Sequence, residues 1–233
     1  MFFMNNKKAF TLAEILITIV IIAVVAVITI PIISENYQKQ VTVEKLKKTY
    51  STFSQITNRA IADNGSIESW IIDDSSNNSN IFFHKNYIIP YLNVMKDCEY
   101  SNNMGCNFQY KTFKGEKNNL NYMYKFILND GTLVASAISV TNNVKYIRVF
   151  IDINGENSPN IMGRDVFAFI YYIHTVDNKL KGIFVPECRL IDRKTILTDS
   201  WGCNKKSDGL YSGICCAELI MRDGWQIKKD YPW

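Results

Sequence analysis

The chain has little of what catalytic sites are assembled from. Its 233 residues contain two histidines, His84 and His174, and these lie far apart. It has no HExxH, no GxSxG and no glycine-rich phosphate loop. Those spacings would gather a zinc ion, an acyl-transfer nucleophile or a nucleotide phosphate on one element. CxxC is absent too, so a zinc site would have to be assembled from wide spacings. Net charge is only +4 and the lysines are scattered, so no basic footprint for nucleic acid is present. An enzyme is therefore not expected. Between Pro31 and Gly65 there is neither glycine nor proline, which leaves that stretch without a break signal.

What is present suits a folded, exported protein. The length allows one sizeable domain plus an appendage. Aromatic residues make up 13% of the chain, mostly Tyr and Phe, which favours strands. Six cysteines, Cys98, Cys106, Cys188, Cys203, Cys215 and Cys216, all follow residue 97. An even count on one side of a membrane points to disulfides in an oxidising compartment. Sequence does not dictate the pairing. The short interval makes Cys98–Cys106 the easiest loop to close, leaving Cys188 and Cys203 to take one each of the vicinal pair.

The longest apolar run lies in "KKAFTLAEILITIVIIAVVAVITIPIISENYQKQ", residues 7–40. Ile15–Ile33 carries no charge, and about twenty such residues cross a bilayer core. Lys7 and Lys8 precede it and should stay cytoplasmic, sending the rest of the chain outward. A secretory signal has a shorter core and a small-x-small cleavage site, which Ala23 and Ala26 supply poorly. The plain reading is an uncleaved anchor bearing a membrane-anchored extracytoplasmic binding or sensor domain. Glu14 fits that reading badly, because a carboxylate at the edge of a membrane-length run is costly unless it reaches the headgroups.

The order of basic residues, small residue, Phe, Thr, Leu and Glu in "KKAFTLAE" resembles the amino-terminal signal of type IV pilins and type II secretion pseudopilins. In that family a prepilin peptidase cuts on the cytoplasmic side of the run, and the new terminal Phe is N-methylated. The resemblance implies a cut between Ala9 and Phe10. Glu14 then falls at the family's acidic fifth position, and Pro31 where a helix-kinking proline is common. The family usually has Gly before the cut, where this chain has Ala9. In a filament the carboxylate would be stabilised by the terminal amine of a neighbouring subunit, and such a pair would fix axial register.

The resemblance implies partners as well: other pilin or pseudopilin subunits, the prepilin peptidase and an inner-membrane assembly platform. The subunit would cross the inner membrane once, with its globular domain extracytoplasmic. It would then enter an envelope pseudopilus or a surface pilus.

After Pro31 the pattern becomes amphipathic. Ile33, Tyr37, Val41, Leu46, Tyr50, Phe53, Ile56 and Ala60 recur at helical spacings, with lysines and Arg59 on the other face. One helix is predicted from about Phe10 to Asp63, bent near Pro31 and stopped by "DNG". Two separate helices are the alternative. The boundaries are a leader at 1–9, a transmembrane and assembly helix at 10–33, its amphipathic continuation at 34–63 and a globular domain at 64–233.

Residues 73–80 read as a polar loop, 82–96 as a short helix interrupted near Pro90, and "CEYSNNMGC" as a loop. Residues 119–128 and 132–139 flank Asn129-Asp130-Gly131 as a hairpin. Residues 144–153 form a third strand. Residues 166–174 and 181–185 form another hairpin around "TVDNKL". A short helix is expected over 214–221. The fold class is α+β, a long helix packed on an antiparallel sheet, as in pilins. Trp225, Tyr231 and Trp233 are expected to cover the sheet or lie in a subunit interface.

One loop carries candidate chemistry. "DINGENSPNIMGRD", residues 152–165, is rich in oxygen ligands: Asp152, Asn154, Glu156, Asn157, Asn160 and Asp165. It starts like a calcium loop, but Gly155 comes too early and no Glu stands twelfth, so it is not an EF-hand. The resemblance makes calcium at Asp152, Asn154, Glu156 and Asp165 the one ion to consider. A turn in which Asp and Asn cap backbone amides is the alternative. No other cofactor is expected.

Overall fold

The computed structural model describes residues 10–72, 75–103, 105–141, 144–173, 183–206, 209 and 211–233. Lys7, Lys8, Ala9, His174 and the "TVDNKL" turn lie outside the described residues. The chain divides into two compact units, Met1–Val41 and Thr42–Trp233.

Helix α1 (Leu12–Asn64) runs through Pro31 and belongs to both units. In the first unit, residues 10–38 are exposed apart from Ala26, and Lys39 pairs with Glu35 at 2.5 Å. In the second, Val43, Leu46, Phe53, Ile56 and Ala60 are buried at helical spacing. Burying a Leu, Ile or Phe fully is worth about 1.5–3 kcal/mol, so this stripe anchors the helix. The packed stripe begins at Val43. Ile33 and Tyr37, expected on it, are exposed, because their part of the helix meets no sheet within its own unit. The helix ends where Gly65 takes φ +78°.

The second unit is built on a six-stranded antiparallel sheet in the order β1 (Val94–Glu99), β4 (Tyr124–Leu128), β5 (Leu133–Thr141), β6 (Val144–Asp152), β7 (Val166–Tyr172) and β8 (Phe184–Pro186). A separate two-stranded ribbon joins β2 (Gln109–Lys111) to β3 (Lys117–Asn119). The β4–β5 hairpin turns at Asn129-Asp130-Gly131, where Gly131 supplies φ +85°.

Strand alternation gives the sheet two faces. On one, Phe53 stacks on Phe184 at 5.2 Å, Tyr50 lies 6.1 Å from Phe169, and Thr57 Oγ1 is 3.0 Å from the Tyr171 hydroxyl. This is the pilin-like α+β arrangement. On the other face Phe150 stacks on Tyr110 of the ribbon at 6.4 Å.

Several connections differ from expectation. Of residues 82–96, expected as a helix interrupted near Pro90, 82–91 are helical and 94–96 instead begin a strand. Helix α2 (Asn77–Phe83) tightens and widens through a π-turn at His84–Ile88 and a 3-10 turn at Ile89–Tyr91 before β1 begins. Strand β1 takes residues read as helix end and loop; it sits at the sheet edge with two register shifts against β4. The expected strand 119–128 is split between β3 and β4. Helix α3 (Arg193–Thr198) is an addition, capped by Asp192. Helix α4 (Cys216–Arg222) packs against β7.

Candidate functional site

The amino-terminal site begins at Phe10, which is 82% exposed. Thr11 is the residue before the helix, and Glu14 is its third helical residue. The Thr11 N–H and hydroxyl both donate to Glu14 Oε2 at 2.8 Å, and the Glu14 N–H donates to Thr11 Oγ1 at 3.2 Å. This is a capping box, in which Thr and Glu satisfy each other's free amides. The T-x-x-E spacing before an apolar run is its sequence signal, a signal the family resemblance of the same residues overlies. Both bonds land on Oε2. Beyond it, α1 is long and apolar enough to cross a membrane. Pro31 lies inside the helix.

The structure forms three disulfides: Cys98–Cys106, Cys188–Cys215 and Cys203–Cys216. The vicinal pair thus ties the start of α4 to the segment after β8 and to the segment after α3. Gly163 is required beside this staple: a Cβ there would stand 2.6 Å from Cys216 Sγ. The carboxy-terminal aromatics cover the domain. Trp225 meets Tyr50 of α1 at 5.6 Å, the Tyr231 hydroxyl donates to the Gly163 carbonyl, and Arg164 lies 4.7 Å over the Trp233 ring.

The oxygen-rich loop brings some of its acids together. Asp152 ends β6 and Asp165 precedes β7, held by the Ile153 N–H to Asp165 carbonyl bond of 2.9 Å. Both side chains are buried. Asp165 accepts from the Asn160 and Ile161 N–H groups at 2.7 and 2.5 Å, and Asp152 from the Asn154 N–H at 3.2 Å. Burial, then repulsion from Asp165, pushes the Asp152 carboxyl up to about 8. Burial raises Asp165 as well.

Two amide oxygens nearby, Asn154 Oδ1 and Asn160 Oδ1, are buried without a hydrogen-bond partner. Their amide nitrogens are used on the Ser158 and Glu156 carbonyls. Glu156 is drawn off to the Asn107 N–H at 3.1 Å. Among the described residues no three His, Cys, Asp or Glu side chains gather as a metal cluster. The loop thus holds two buried carboxylates, each with backbone donors, and two buried amide oxygens without a partner, all of them hard oxygen donors.

A family model described as a family of unknown function (DUF6613) matches residues 32–233, and the prokaryotic N-terminal methylation motif matches residues 4–30. The first match spans most of the chain, so the chain belongs to that family. The second gives it a prepilin-like amino-terminal signal. No curated protein and no solved structure matches the chain.

Proposed function

We propose that this member of a family of unknown function is a structural subunit of a type IV pilus or type II secretion pseudopilus. The methylation motif over residues 4–30, running into one helix that enters an α+β domain, carries this reading. A prepilin peptidase cuts between Ala9 and Phe10, and Phe10 is N-methylated. The subunit waits in the inner membrane on its apolar helix, domain outside, until the assembly platform draws it into the polymer. There Glu14 accepts the Phe10 amine of a neighbour. The capping box supports this role, because it uses only Oε2 and leaves Oε1 for a further donor. The loop of Asp152, Asn154 and Asp165 is the calcium site of that subunit.

A second reading rests on the same box. Thr11 satisfies Glu14 within one chain, as an uncleaved anchor would need. Mass spectrometry of the native amino terminus separates the two. The proposal expects a chain beginning at N-methylated Phe10. A mature protein that keeps Met1 would sink it.

A further inference from the structure

Two buried side-chain atoms in the second unit have no hydrogen-bond partner and belong to residues that line one small space. They are Nε2 of His84, in the π-turn, and Oγ of Ser136, on β5. The residues are 1% and 2% exposed. Both line a cavity of about 10 Å³, whose other walls include Phe53, Phe83, Phe126, Val149 and Tyr171. About 10–15 Å³ on this measure holds one water molecule, provided it finds two to four polar partners.

The hydrogen-bond chemistry fixes what the occupant must offer. His84 Nδ1 lies 2.6 Å from the Asn80 carbonyl oxygen. A carbonyl only accepts, so Nδ1 carries the ring proton and Nε2 presents a lone pair. That lone pair needs a donor. The Ser136 hydroxyl can donate or accept. Tyr171, which also lines the cavity, has its hydroxyl paired with Thr57 Oγ1 at 3.0 Å. The rest of the lining is apolar, which holds a small neutral molecule and rejects an ion.

We propose that this cavity is a binding site for one internal water molecule, which donates to His84 Nε2 and hydrogen-bonds Ser136 Oγ. The water completes a polar strut between α2 and the sheet. Asn80 is already bound there, its Oδ1 accepting from the Ile138 N–H of β5 at 2.7 Å. His84 is oriented by Asn80 on one side and by the water on the other, with its ring stacked on Tyr124 at 4.3 Å. His84 itself keeps helical backbone angles, its N–H bonded to the Asn80 carbonyl, so α2 sets the position of the ring. This inference stands independently of the filament reading.

The test compares Ser136→Ala with Ser136→Val in the full chain in detergent micelles. Ala leaves the water its place; the larger Val takes it and strands Nε2. Val is therefore expected to melt below Ala. In a dry apolar cavity the order reverses, because Val fills space, and that order would overturn the proposal. Since Val could also lower melting through strain, the wild-type chain supplies a second measurement. Cross-relaxation from a long-lived water to the Ser136 Hβ and His84 Hε1 protons is expected by NMR. Its absence would overturn the proposal whatever the variants do.

Discussion

Replacing Glu14 by Gln separates its two roles. Gln keeps a carbonyl oxygen where Thr11 now donates at 2.8 Å, so the capping box survives. It cannot neutralise an amine. In the proposed filament the Phe10 amine of the neighbour would be left as an unpaired charge among apolar helices. Breaking a buried pair in this way costs about 3–5 kcal/mol. At 1.4 kcal/mol per decade, incorporation should fall by roughly two to three and a half orders of magnitude. Val also removes the carboxylate half of the box, while its own N–H still donates to Thr11 Oγ1, so the further cost in helix stability is at most about 1 kcal/mol. Each variant is co-expressed with the wild type, the filaments are sheared, and the variant fraction is read by mass spectrometry against its share in the membrane. Both should be nearly absent from filaments. If capping were the only role, Gln would incorporate as the wild type does and Val at most about fivefold less, and that result would refute the ion-pair argument.

The loop gives a pH-dependent prediction. Folded Asp152 keeps its proton to about pH 8, whereas the unfolded chain loses it near its usual value of 3.8. Its contribution is thus complete below pH 3.8 and is lost as pH rises through 8. Melting of the full chain in chelator should fall between pH 5 and 8, less so for Asp152→Asn. Calcium should restore it at pH 8 in the wild type but not in the variant; no calcium effect on melting would remove the site. Replacing Cys188 and Cys215 by Ala opens a span of 27 residues. Loop entropy gives a loss of roughly 3–4 kcal/mol, readable as a lower denaturant midpoint.

The elements legible in the sequence are those with strong periodicity. Leu46, Phe53, Ile56 and Ala60 announce the packed face of α1, and Asp130-Gly131 announces the β4–β5 hairpin. Strand β1 was not legible because "VMKDCE" does not alternate: it is an edge strand, exposed over Met95, Lys96 and Asp97. Strands β2 and β3 are three residues each, too short for a period to register. Lys125 reads as the polar member of an alternating strand, yet it is fully buried. Its amine is held by Asn102 Oδ1 at 3.0 Å and the Asn121 carbonyl at 2.9 Å, and burial lowers its pKa. Acceptors 23 residues back or around a turn are not written in local pattern. At the candidate sites, the acid at residue 14 and the oxygen-rich loop stand out by composition. The role of Thr11 and the withdrawal of Glu156 to Asn107 depend on geometry that spacing alone conveys only in part.

The two acidic sites differ in what a single chain can supply. Glu14 finds two donors three residues away, both on one oxygen, so it is tolerated at the helix start before any neighbour arrives. In the proposed filament no donor would have to be displaced: the neighbour's amine would approach Oε1 while Thr11 keeps Oε2. Asp152 and Asp165 have no such provision. Their amide donors do not cancel the repulsion between them, as the upward shift of Asp152 records. One charge in that pair must be neutralised, by a proton or by a cation. A proton serves below about pH 8 and brings a hydroxyl donor with it; in the proposed site a cation would serve above it. Protonating Asp152 adds an O–H donor as well as removing a charge, so the response of melting to calcium at pH 8, where that proton is being lost, is what separates the two.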